Sequence, residues 1–142
     1  MKIGIASDHR GVILKEKIKN YLNDRYQIID YGTNSIESVD YPLYAYKIGE
    51  SVRDNKIDLG ILICGTGIGM SIACNKVKKV RCAKVTTKEE AFLARSHNNA
   101  NVIALSENVT NYKEIIDTFL TTDFSNEEKH KRRVEMIDNY DN

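Results

Sequence analysis

Cys64 ends an apolar run and opens the turn Cys64-Gly65-Thr66-Gly67-Ile68-Gly69. A thiol acts as base or nucleophile only as thiolate, and its free pKa of about 8.5 falls in few settings, a helix N-terminus being one. Residues 59–63 read as a strand buried on both faces, and Met70, Ile72, Ala73 and Val77 repeat at helical spacing. A strand, a glycine-rich turn and a helix N-terminus bring unpaired backbone N–H groups and positive potential to one point, which suits an anion. Asp8 and His9 lie on an earlier loop, His97 and Asn98 on a later one, and Lys129-His130-Lys131-Arg132-Arg133 forms a basic run near the end. An acid, a thiol, imidazoles and a basic helix around an anion nest are parts for acid–base chemistry on an anionic ligand.

Each part alone has a plainer reading. The glycine turn suits a tight corner, and Cys64 a small buried hydrophobe. Asp8 suits a helix cap. His97 and Asn98 suit a helix end, with His near the negative dipole and Asn in a left-handed cap. The basic run suits a solvated face. The turn is not a dinucleotide fingerprint, because Met70 takes the third glycine position and the next strand exits into Thr86-Thr87 rather than an acid. No GK[ST] follows, so it is not a P-loop.

The elements that must position these loops alternate. Strand-like runs cover residues 2–6, 27–30, 59–63, 80–85 and 102–105. Between them lie helical patterns with Leu14, Ile18, Tyr21 and Leu22 on one face, then Ala45, Ile48 and Val52 after Pro42, then Met70 to Val77. Residues 87–96 open with a Thr87–Glu90 capping box, and Tyr112, Ile115, Ile116 and Phe119 mark the helix after the fifth strand. A basic helix closes the chain from about Asn126. Such alternation predicts a single α/β domain over residues 1–142, a three-layer α/β/α sandwich on a five-stranded parallel sheet of Rossmann or flavodoxin type. The expected order is 2-1-3-4-5, which sets the switch between strands one and three and lands the Asp8-His9 and Cys64 loops side by side.

Composition agrees with one soluble globular domain: 142 residues, 42% hydrophobic, 29% charged. A net charge of +1 gives no pull toward nucleic acid or membrane. The opening MKIGIASDHRG does not suit a secretory leader, and no apolar run approaches a membrane span. Three cysteines with no CxxC and no metal spacing fit a reduced, cytoplasmic chain without a metal.

The segments SDHRG (7–11), DYP (40–42), ICGTGIGMSIACNK (63–76), SHNNANVIAL (96–105) and KHKRRVEMI (129–137) resemble type B ribose-5-phosphate isomerase, nearly end to end and in the same order. The wider group takes galactose 6-phosphate and allose 6-phosphate. The resemblance implies a cofactor-independent exchange of ribose 5-phosphate and ribulose 5-phosphate through an enediolate. Cys64 would be the base, since Met70 stands where another branch of the family has a glutamate. The backbone of Gly65, Gly67, Ile68 and Gly69 would hold the enediolate oxygens, with the Thr66 hydroxyl. His97 would open the sugar ring, Asp8 assist at the hydroxyls, Tyr41 and Asn98 add polar contacts, and His9 meet the phosphate. The family's arginines are replaced by Asn108 and Lys129, and Arg133 stands. Lysine keeps a point charge without the fork, and asparagine only a neutral amide. The resemblance further implies a homodimer or tetramer in which Lys129 and Arg133 reach the neighbouring subunit's site. A 6-phosphohexose isomerase and a non-catalytic phosphosugar-binding module are the other readings.

Overall fold

The computed structural model describes residues 1–141. The strands are β1 (Lys2–Ser7), β2 (Gln27–Asp30), β3 (Leu59–Cys64), β4 (Cys82–Lys84) and β5 (Val102–Ser106), all paired in parallel. The helices are α1 (Val12–Leu22), α2 (Tyr41–Arg53), α3 (Ile68–Cys74), α4 (Lys88–Ser96), α5 (Tyr112–Thr121) and α6 (Glu128–Asp138), with a 3₁₀ turn at His9–Gly11. Pro42 sits in the first turn of α2 as expected, where its missing N–H costs nothing. Thr87 caps α4 by accepting from the Glu90 N–H at 3.1 Å, while the Glu90 carboxylate reaches back to the Thr86 N–H at 2.9 Å.

The strand order is β2-β1-β3-β5-β4, not 2-1-3-4-5. Every residue from Val102 to Leu105 is buried, so β5 needs covered flanks and takes the interior place beside β3. The fourth strand is three residues long and ends on exposed Lys84, which suits an edge. At its outer side the Asn75 amide stands in for a neighbouring strand, donating to the Cys82 carbonyl at 2.9 Å and accepting from its N–H at 2.7 Å.

The reversed step from β4 back to β5 sends α4 across the sheet, because parallel crossovers keep one hand. One core therefore joins Leu14, Ile18 and Leu22 of α1 with Ala91 and Ala94 of α4 and Ile115, Ile116 and Phe119 of α5. The other joins Ala45, Ile48 and Val52 of α2 with Met70, Ala73 and Cys74 of α3. Strand β3 serves both by alternation: Leu59, Ile61 and Ile63 face the first core, Leu62 and Cys64 the second. Within the first layer Lys15 is wholly buried, its ammonium on both Asp30 oxygens at 2.8 Å and on Asn34 Oδ1 at 2.6 Å. Among the described residues no helix is long and apolar enough to cross a membrane.

Candidate active site

The expected switch between β1 and β3 is present, and it brings the first two loops together. The Asp8 N–H donates to the Ile63 carbonyl at 3.2 Å. Asp8 does cap the following turn: Oδ1 accepts from the Arg10 N–H at 3.0 Å and the Gly11 N–H at 3.3 Å. Its Oδ2 takes no hydrogen bond among the described residues, so the cap leaves half the carboxylate for other work. His9 Nδ1 accepts from the Val39 N–H at 3.2 Å, which makes Nε2 the N–H of the neutral ring.

Cys64 is buried, and its Sγ accepts from the Gly67 N–H at 3.1 Å. Thr66 Oγ1 accepts from the Ile68 N–H at 3.1 Å and leaves its own proton free. Gly67 is left-handed, φ +80°, and a Cβ there would lie 3.1 Å from the Leu105 carbonyl carbon, so only glycine seats the turn directly on the end of β5. A Cβ on Gly69 would come within 2.6 Å of the Tyr41 ring; its absence lets Tyr41 lie against the start of α3. Exposed Asn108 stands at the same edge, its N–H on Ser106 Oγ at 3.1 Å. Thus Asp8, His9, Tyr41, Cys64, Thr66, Gly65, Gly67, Ile68, Gly69 and Asn108 collect at the carboxyl ends of the strands.

His97 and Asn98 do not join them. His97 caps the end of α4, and the left-handed residue is Asn99 (φ 47°), one beyond the expected Asn98. These residues lie at the amino end of β5: the Ala100 N–H meets the Ala94 carbonyl at 2.8 Å, and the Asn101 carbonyl accepts from the Gly60 N–H at 2.9 Å. Val102 pairs beside Gly60 and Ser106 beside Cys64, so about 13 Å of strand separates the two edges. The signal was in the sequence: His97 follows a helix and precedes a strand, whereas Asp8 and Cys64 follow strands.

His97 has company that the spacing did not reveal. Its ring stacks on buried His130, centroids 4.3 Å apart, and Ser125 Oγ lies 2.9 Å from His130 Nδ1. Burial pushes the His130 imidazole below its ordinary range, and the His97, Lys129 and Arg133 charges add to this against Glu127. Exposed Lys129 and Arg133 flank His130 on α6, which Arg81 anchors through Asp138 at 2.7 Å. Among the described residues no group of three His, Cys, Asp or Glu side chains stands close enough to hold a metal ion.

The Ribose/Galactose Isomerase family model matches residues 3–137. The chain belongs to that family. It is accordingly an enzyme, a sugar-phosphate isomerase. The chain is similar to ribose-5-phosphate isomerase B of Escherichia coli, 41% identical over 140 residues that cover 96% of this chain and 93% of that one. It superposes on ribose-5-phosphate isomerase B of Clostridium thermocellum with a TM-score of 0.94, at 46% identity, over 97% of this chain and 95% of that one. The Mycoplasma genitalium ribose-5-phosphate isomerase B, solved with bound ribulose 5-phosphate, gives a TM-score of 0.91 at 41% identity, over 98% and 95%. The residues fall into two groups: Asp8, His9, Tyr41, the Cys64 turn and Asn108 at one edge of the sheet, and the His97–His130 pair with the basic groups beside it at the other.

Proposed function

We propose that the chain interconverts ribose 5-phosphate and ribulose 5-phosphate at sites completed by two copies. The observation that carries this reading is the Cys64 sulfur held on the Gly67 amide, inside a glycine turn that stands at the same sheet edge as Asp8 and His9. The bound ribulose 5-phosphate of the Mycoplasma genitalium relative supports the substrate.

In the proposed reaction His97 of the second copy gives a proton to the ring oxygen and Asp8 takes the one on O1, so that the bond between C1 and the ring oxygen breaks and the open aldose is released. The Cys64 thiolate takes the C2 proton while the carbonyl electrons move onto O1, giving the enediolate. The backbone N–H groups of Gly65 and Gly69 and the Thr66 hydroxyl stabilise its oxygens, while the Gly67 N–H stays on the sulfur and the Ile68 N–H on Thr66 Oγ1. The thiol returns its proton to C1, and Asp8 and Thr66 carry the hydroxyl proton from O2 to O1. No electrons are gained or lost overall, so no redox cofactor is needed. Tyr41, with Asn98 of the second copy, contacts the sugar; His9 and Asn108, with Lys129 and Arg133 of the second copy, hold the phosphate.

Two copies are required because a pentose phosphate cannot span a sheet edge to edge. The face that joins them lies along the β4 edge of the sheet. A cleft of about 520 Å³ there is lined by Cys82, Ala83, Leu93, Asn98 and Ile137. Ile68 and Ile72 of α3, Phe92 of α4 and Met136 of α6 add exposed apolar surface. The free thiols fit a cytoplasmic setting.

The test is a rate assay with ribose 5-phosphate, allose 6-phosphate and galactose 6-phosphate side by side, before and after thiol alkylation. Ribose 5-phosphate should be turned over fastest and should protect against alkylation, and Cys64→Ala should bind substrate without converting it. Turnover of a hexose phosphate alone would replace the substrate, and binding without turnover would leave a binding module.

A further inference from the structure

Arg10 lies across the glycine turn. Its Nε donates to Glu107 Oε2 at 2.8 Å and its Nη2 to Oε1 at 3.4 Å. A Cβ built on Gly65 would lie 3.2 Å from Nη1 and 3.3 Å from Cζ and Nε, so the guanidinium rests flat over the bare Cα of Gly65. Nη1 has no partner among the described residues. Both ends of the pair are anchored at the site. The Arg10 N–H is held by Asp8, and the Glu107 N–H donates to the Cys64 carbonyl at 2.8 Å.

An ion pair with side chains 58% and 24% exposed contributes little to stability, so its place over the turn is not explained by folding. The chemistry explains it better. A guanidinium fork matches phosphate, with two or more parallel donors. His9 is its neighbour in the chain, and Asn108, one residue past Glu107, offers no charge. Glu107 occupies the donors that a phosphate would use.

We infer that Arg10 is the guanidinium with which the Cys64-bearing subunit grips the substrate phosphate, and that Glu107 is a competing anion that holds it in place when the site is empty. The phosphate dianion outbids the single carboxylate charge, and Arg10 turns from one to the other while Gly65 gives it room. This assignment rests on the sugar-phosphate reading of the same site.

The pair makes a signed prediction. If the contact is merely structural, removing either partner has the same effect. If Arg10 binds phosphate and Glu107 competes, the two removals act in opposite directions. The experiment compares wild type with Arg10→Ala, Arg10→Lys and Glu107→Gln, measuring KM for ribose 5-phosphate and, by calorimetry, the dissociation constant for inorganic phosphate. Arg10→Ala should raise both about tenfold, as loss of a charge-assisted hydrogen bond at a partly exposed site does. Arg10→Lys should fall between, and Glu107→Gln should lower both about two- to threefold. Melting curves check that the variants fold, which their exposure favours. Shifts of the same sign in Arg10→Ala and Glu107→Gln, or none in either, overturn the assignment. Opposite shifts in phosphate binding with no turnover of any sugar phosphate by the wild type would keep Arg10 and remove the isomerase reading.

Discussion

Cys64 and His97 lie at opposite edges of one chain, and this separates two ways of building a site. Consider Cys64→Ala and His97→Asn, each on an otherwise unaltered chain. Each homodimer lacks one group in both sites. When the two chains are mixed by coexpression, random pairing makes about half the dimers mixed. In a mixed dimer one site draws an alanine and an asparagine and is dead twice over. The other draws Cys64 from one chain and His97 from its partner and is intact. Half of the dimers with one good site in two gives about a quarter of the wild-type rate per site. Were one chain to supply both groups, every site in the mixed dimer would still lack one, and nothing would recover. The assay is conversion of ribose 5-phosphate at saturation, with the two homodimer rates subtracted and mixed dimers verified by differential tags. The roughly 13 Å of β5 between the edges is the reason to expect a quarter rather than zero. No recovery in verified mixed dimers would refute the two-copy site.

Gly67→Ala should cost about 1–2 kcal/mol from the left-handed backbone alone, and more from the 3.1 Å approach to the Leu105 carbonyl carbon; urea unfolding reads it. Lys15→Met should cost about 3 kcal/mol, because it leaves Asp30 with Lys19 alone at a largely buried carboxylate; the same titration reads it. His130 titrates lower folded than unfolded, so its contribution is complete above pH 6.5, the ordinary value, and is lost as pH falls below it toward the depressed folded value. Urea midpoints at pH 7.5 and 5.5 should therefore differ, and His130→Phe should shrink the difference.

The parts legible in the sequence were those set by short stretches of chain. The strand 59–64 is apolar throughout, the glycines demand a turn, and β–α alternation forces β1 and β3 together, so the Asp8 and Cys64 loops meet as expected. Strand order beyond β3 was less legible, since residues 80–85 and 102–105 both read as apolar strands. The difference emerges only when the edge strand shortens to Cys82–Lys84 and Asn75 closes its outer side. That swap also carries α4 to the other face, a consequence no local pattern encodes. His97 could have been assigned to the amino edge from connectivity alone, but its stacking on His130 joins residues 33 apart through tertiary packing. The Arg10–Glu107 pair, 97 residues apart, is invisible to spacing in the same way.

The glycine turn is fastened on every side. Gly67 rests on the backbone of β5, Ser106 Oγ donates to the Gly65 carbonyl at 2.8 Å, the Glu107 N–H holds the Cys64 carbonyl, and the Gly67 N–H holds the sulfur. On the proposed reading this rigid seat grips C1 and C2, the two carbons that are chemically alike in every aldose. What differs among sugar phosphates is the length of the tail, and the tail meets side chains on other elements: Arg10, Asn108 and the basic face of α6. The molecule thus divides into a fixed head that is indifferent to the rest of the sugar and an adjustable ruler that measures it. A change of substrate in this fold should therefore begin at the ruler, with the head left untouched.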